Sequence, residues 1–200
     1  MSEIIFKPFV GSNYYPNGGI FGKKILVLGE SHYCDESEVY ENLTHDVLQK
    51  YLNHDVNEGW MNTFRKFERA LAGNITTDDD SQRIWDSLAF YNFLQVPMGD
   101  ARIAGQPEDY KNAVVPFFKV LNQLQPDYLI VWGKRLWANL PYDNWTDGKS
   151  VIIDNYENPL GTYTLSNGHK VITTPVYHHP SASFSWEYSY RVFQKMGIVK

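Results

Sequence analysis

Four short segments of the chain hold the side chains with the most chemistry in them. Gly29-Glu30-Ser31-His32-Tyr33 sets a carboxylate, a hydroxyl, an imidazole and a phenol in consecutive positions, and Asn92 lies near the end of the apolar run 87–93. Trp132-Gly133-Lys134-Arg135 pairs an indole with two cations, and His178-His179-Pro180-Ser181 adds two more imidazoles and a hydroxyl. A carboxylate such as Glu30 could stabilise a developing cation or orient a water. The Asn92 amide offers a donor and an acceptor side by side. An imidazole such as His179 could donate a hydrogen bond to an oxygen on which negative charge develops.

Other chemistries fit these residues less well. Glu30, His32, His178 and His179 are possible metal ligands. No His-x-x-x-His spacing supports such a site and Cys34 is the single cysteine, so neither metal nor cofactor is expected. Ser31 and His179 could form a hydrolase pair, but no Gly-x-Ser-x-Gly elbow surrounds the serine. A dinucleotide site would need the absent Gly-x-Gly-x-x-Gly signature. Each segment also has a plain structural reading. Ser31 or Asp35 could cap a helix, Asn92 could satisfy backbone groups at a strand end, and His178-His179 could be a polar surface turn.

The elements that must position these residues are legible as apolar runs. Residues 24–29, 87–93, 128–133 and 171–177 are continuous hydrophobic stretches without polar alternation, as expected of strands covered on both faces in a parallel sheet. Helical spacing falls between them, over 36–52, 60–71, 107–124, 134–140 and 185–195. Phe64, Phe67 and Leu71 form the stripe of the second stretch; Val114, Phe117, Phe118, Leu121 and Leu124 form that of the third. Asp78-Asp79-Asp80 reads as a solvated loop running into a cap at Asp80 or Ser81. Residues 150–170, with the turn Ser166-Asn167-Gly168-His169, read as an inserted hairpin at the sheet edge. Strand and helix in alternation make an α/β layered fold, with residues 1–200 forming one domain. Ligands in such sheets bind beyond the carboxyl ends of the strands, and all four segments fall at that end.

Bulk properties narrow the setting. The lone cysteine excludes an internal disulfide, the N-terminus lacks the layout of a signal peptide, and no apolar run reaches the length of a membrane span. A cytoplasmic location is expected. Aromatic residues make up 16% of the chain and the net charge is −5. The aromatic excess suits either a stacking pocket or a ring-rich core. The acidic charge counts against tight nonspecific binding to nucleic acid while leaving room for a local basic rim from Lys134, Arg135, Lys111 and Arg102.

In this order the segments resemble the uracil-DNA glycosylase superfamily. There a strand ends in a Gly-Gln-Asp-Pro-Tyr or Gly-Glu-Ala-Pro-Gly motif, here Gly29-Glu30-Ser31-His32-Tyr33; a second ends in a base-reading Asn, here Asn92. A Leu-Leu-Trp-Gly strand corresponds to Ile130-Val131-Trp132-Gly133, and the His-Pro-Ser motif stands as His179-Pro180-Ser181. The resemblance runs from residue 24 to 186. It implies a three-layer α/β/α sandwich around a central four-stranded, mainly parallel sheet. It implies a base extruded into a pocket and hydrolysis of the N-glycosidic bond of uracil or a related damaged base in DNA. Glu30, Ser31 and His179 would be catalytic; Gly29, His32, Tyr33, Asn92 and Ser181 would bind substrate. Phe184 or Trp186 could wedge into a base stack, or pack the last helix on the sheet. Ser31 stands where the water-activating Asp or Asn of the best-known branches is found, and His32 replaces the usual Pro. A relative that binds a nucleobase, nucleoside or other small ligand without cleaving it, and an interaction protein with a vestigial pocket, are the competing expectations. Oligomeric state is not legible in the sequence.

Overall fold

The computed structural model describes residues 3–100 and 103–200. In chain order the strands are β1 (Phe9–Val10), β2 (Ile25–Gly29), β3 (His32–Tyr33), β4 (Leu88–Asn92), β5 (Pro97–Met98), β6 (Tyr128–Trp132), β7 (Trp145–Asp147), β8 (Val151–Ile153), β9 (Tyr156–Asn158), β10 (Gly161–Thr164) and β11 (Lys170–Val176). The helices are α1 (Leu43–Leu52), α2 (Met61–Ala72), α3 (Asp78–Asp86), α4 (Pro107–Leu124), α5 (Lys134–Ala138) and α6 (Trp186–Met196).

A mixed seven-stranded sheet in the order β1-β4-β2-β6-β11-β10-β7 dominates the architecture. Its middle is the set of apolar runs: β2 pairs in parallel with β4 and β6, and β6 with β11. Antiparallel strands extend it on both sides, β1 on β4 and then β10 and β7 beyond β11. The sheet is therefore wider than the four strands expected from sequence. Strands of two or three residues at an edge leave no alternation to read.

Every residue of β2, β4 and β6 is buried, and successive side chains enter different cores. Ile25, Val27, Leu88, Phe90, Ile130 and Trp132 belong to one cluster, shared with α1, α2, α3 and α6. Leu26, Leu28, Ala89, Tyr91, Leu129 and Val131 belong to the other, shared with α4 and α5. Period-two alternation with both faces covered explains why these runs show no polar residues.

Local signals account for the remaining differences. Thr77 caps α3 by accepting from the Asp80 backbone N–H, so Asp78-Asp79-Asp80 is the first helical turn rather than a loop. Acidic residues there face the positive end of the helix dipole. The stretch expected to be helical from Glu36 holds only a single 3-10 turn before α1 begins at Leu43. Residues 150–170 divide: β8 and β9 form a separate antiparallel hairpin, while β10 joins the main sheet. Among the described residues no helix is long and apolar enough to cross a membrane.

Candidate functional site

The register of the central strands brings all four segments to one end of the sheet. Gly29 and Asn92 are paired neighbours on β2 and β4, and Trp132 and Val176 are paired on β6 and β11. The chain continues from these residues into Glu30, Gly133 and Tyr177. Gly133 at φ +90° turns the chain out of β6, its N–H donating to the Val176 carbonyl at 2.8 Å, and a Cβ there would contact the His179 side chain.

Asn92 is buried and its amide lies directly over Gly29: a Cβ on Gly29 would come within 2.2 Å of Asn92 Oδ1. The glycine is therefore required by the close approach of the amide rather than by its own backbone angles. Gln95 donates to the Asn92 backbone carbonyl at 2.9 Å, and no hydrogen bond engages the Asn92 side-chain amide among the described residues. The amide is not among the buried side-chain groups left without a partner, so its donor and acceptor reach solvent and are open to a ligand edge.

His179 stands edge-on to Trp132, ring centroids 5.6 Å apart. Its Nδ1 accepts from the Ser181 backbone N–H at 3.2 Å and lies 2.7 Å from Ser181 Oγ. A backbone N–H can only donate, so Nδ1 carries the lone pair and the neutral ring has its proton on Nε2. Burial lowers the His179 pKa from 6.5 to about 4; the Glu30 charge works against that shift and the Arg135 charge with it. The ring is thus a neutral Nε2–H donor at physiological pH. The buried Trp132 indole N–H beside it has no partner among the described residues.

Glu30 meets different company. Residue 30 shares parity with Leu26 and Leu28, which enter the α4–α5 core, whereas Asn92 shares parity with Leu88 and Phe90 on the opposite face. Glu30 accordingly engages α4 and α5. Arg135 Nε donates to Glu30 Oε1 at 2.8 Å and Oε2 at 2.9 Å, and its Nη2 donates to Oε2. The Tyr110 hydroxyl donates to Oε1. Burial, reinforced by the adjoining carboxylate, pushes the Tyr110 phenol well above its ordinary value, which keeps it a donor. Glu30 is therefore a saturated acceptor.

The other expected residues are dispersed. His32 is buried between the Phe6 ring, 4.7 Å away, and Thr44, whose hydroxyl lies 2.9 Å from its Nε2; burial lowers its pKa to about 4. Ser31 is half-buried with no described hydrogen bond, and Tyr33 is exposed at the rim within electrostatic range of Arg135. Ser181 is exposed and serves His179. Phe184 and Trp186 pack against the core face lined by α2 and α6. Of the expected basic rim, Lys134 is exposed, Arg135 is engaged by Glu30, and Lys111 lies beside Glu108 of its own helix; Arg102 falls outside the described residues.

Sequence reasoning missed Tyr110 altogether and treated Arg135 only as a rim cation. Strand parity was the signal available: it separates Glu30 from Asn92 before any contact is known. Cavities of about 510 and 180 Å³ lie elsewhere, the larger beside Phe118, Asn122, Trp145 and Thr164, and neither is lined by the candidate residues. Among the described residues no group of three or more His, Cys, Asp or Glu side chains is arranged to hold a metal ion. No protein-family model matches the chain, and no curated protein matches its sequence.

Proposed function

We propose that the chain is a nucleobase-recognising hydrolase of the uracil-DNA glycosylase type, cleaving the N-glycosidic bond of uracil or a related damaged base in DNA. The observation that carries this reading is the tautomer of His179: Nδ1 accepts from the Ser181 N–H, which leaves Nε2–H free to donate. Breaking the C1′–N bond leaves an electron pair on the departing base, and in a pyrimidine that charge spreads to a carbonyl oxygen. A neutral donor already held in position stabilises such an oxygen without the reorganisation that bulk water must undergo. The unpartnered Asn92 amide supplies the donor–acceptor pair that reads a base edge. Ser31, half-buried and without a hydrogen bond among the described residues, is the residue assigned to hold the attacking water. The sugar cation formed by departure needs water positioned more than deprotonated.

The three-layer α/β/α sandwich of that superfamily, and a cytoplasmic location, belong to the same proposal. The test is release of free base from single- and double-stranded DNA carrying uracil, hypoxanthine, xanthine or mismatched thymine. Release by the wild-type chain, abolished in His179→Ala and Asn92→Ala, is the expected result; no release from any of these substrates overturns it.

One observation favours a second reading, a relative that binds a nucleobase or nucleoside without cleaving it. The Glu30 carboxylate is fully engaged by Arg135 and Tyr110, and so is a poor partner for a water. In that case DNA is left intact while free bases or nucleosides raise the melting temperature of the wild-type chain and not of Asn92→Ala.

A further inference from the structure

We infer that Arg135 is a phosphate-binding residue of the site and that Glu30 and Tyr110 are positioning residues that aim it, so that the ligand is a nucleotide or a nucleotide unit of DNA rather than a free base. The inference rests on the nucleobase reading for its base half, and on the Arg135 geometry alone for its phosphate half.

A guanidinium has five N–H donors in a rigid plane. Glu30 takes Nε and one edge of Nη2, which fixes that plane against a nearly buried carboxylate; the two side chains are 39% and 9% exposed. Tyr110 holds the same carboxylate from α4. Nη1 and the outer edge of Nη2 have no partner among the described residues. The outward half of a pinned guanidinium presents parallel N–H donors, the geometry that matches two oxygens of a phosphate. The Arg135 charge also acts on His179, so the cation stands close to the candidate leaving-group site. A carboxylate meant to activate water would keep an acceptor free. Glu30 spends its acceptors on the arginine and the tyrosine.

The experiment compares calorimetric binding of uracil, uridine, ribose 5-phosphate, uridine 5′-monophosphate and a short single-stranded oligonucleotide with one deoxyuridine. The wild-type chain is expected to bind the monophosphate at least about tenfold tighter than uridine, as one charge-assisted contact implies. That ratio should collapse in Arg135→Lys, which keeps the charge and loses the fork, and shrink in Glu30→Gln and Tyr110→Phe while uridine affinity is unchanged. A gain confined to the monophosphate identifies a free nucleotide as the source of the phosphate; an equal gain with the oligonucleotide identifies the DNA backbone. A ratio unchanged in Arg135→Lys, with only the melting temperature moved, overturns the inference. So does a Glu30→Gln variant that cleaves more slowly at unaltered KM. Uracil and uridine binding without a phosphate gain sinks this inference and spares the nucleobase reading. Ribose 5-phosphate binding that depends on Arg135, with no binding of uracil or uridine, does the reverse.

Discussion

Among the described residues two carboxylates are buried, and they are held in opposite ways. Glu68, 1% exposed on α2, is surrounded by neutral donors: the hydroxyls of Tyr51 at 2.9 Å, Thr76 at 2.6 Å and Ser81 at 2.7 Å, and the Trp85 indole N–H at 3.2 Å. These come from α1, α3 and the segment before it, so the carboxylate ties helices together beneath one face of the sheet. Burial raises its pKa, and the four donors oppose the shift. Glu30, at the carboxyl end of β2, is held by a cation with its other edge in solvent. A carboxylate enclosed by neutral donors is a structural knot with nothing left to offer. One that pins a half-exposed arginine passes its orientation outward, to whatever that arginine meets.

The comparison is broken most directly at Glu68. Glu68→Ala strands four donors in a closed interior and should cost about 3–5 kcal/mol, the range for removing one side of a buried polar network. Urea unfolding measures it, and a loss below about 1 kcal/mol would show the network to be ornamental. The pH dependence has a definite sign. Because the folded pKa is raised above the ordinary 4.5, the unfolded chain ionises first, and the Glu68 contribution to stability falls as pH rises above 4.5 towards the folded value. Glu68→Gln removes that slope.

His32 and His179 repeat the contrast between core and rim. Both have pKa values lowered by burial to about 4. A depressed histidine contributes stability that is complete above the unfolded value of 6.5 and is lost as pH falls towards 4, because the unfolded chain takes up the proton first. For His32, 6% exposed, the full shift corresponds to about 3 kcal/mol; His179, half-buried and open to screening, contributes less. His32→Gln should therefore flatten most of the acid slope in a series of melts between pH 4 and 7. Equal flattening by His179→Gln would show the rim histidine to be as fully desolvated as His32.

How much of this was legible in the sequence depends on the range of the interaction. The central strands were, because a strand covered on both faces must be apolar at every position. The Gly29–Asn92 approach was half legible: both residues stood out as strand ends, but only register makes them touch. The extent of the sheet was not, since β1 and β7 are two and three residues long and are recruited by edges already formed. The first turn of α3 was hidden by charge, which reads as solvation until the Thr77 cap is seen. The Glu30 cluster was the least legible, because its partners lie 80 and 105 residues away and nothing local announces them. His32 misled for a related reason: a titratable group beside a candidate motif looks functional, while Phe6 and Thr44, which bury it, come from other parts of the chain.

A methyl group added at Gly29 sharpens the picture at the site itself. Gly29→Ala puts a Cβ 2.2 Å from Asn92 Oδ1 and 2.9 Å from the Phe90 ring, so the amide has to turn away. Overpacking of this kind costs about 1–3 kcal/mol. Its larger consequence is the loss of base binding, to the level of Asn92→Ala, by a residue whose own side chain is a hydrogen atom. Thermal melts and base titrations on the same preparation separate the two effects; retained base affinity in a destabilised Gly29→Ala would remove Asn92 from the binding set.

The smallest stability effect belongs to Glu30→Gln, and its smallness is informative. Losing the ion pair leaves Arg135 exposed enough to rehydrate, and the amide can still accept from Tyr110, so the cost should be about 1 kcal/mol, well below that of Glu68→Ala. The two carboxylates are alike in burial and in saturation, and a count of hydrogen bonds would rank them as equals. They differ in whether a partner has water to return to. A loss at Glu30 as large as that at Glu68, read from the same urea titration, would mean that Arg135 has no such refuge and that the pair is a second knot of the core rather than an outward-facing clamp.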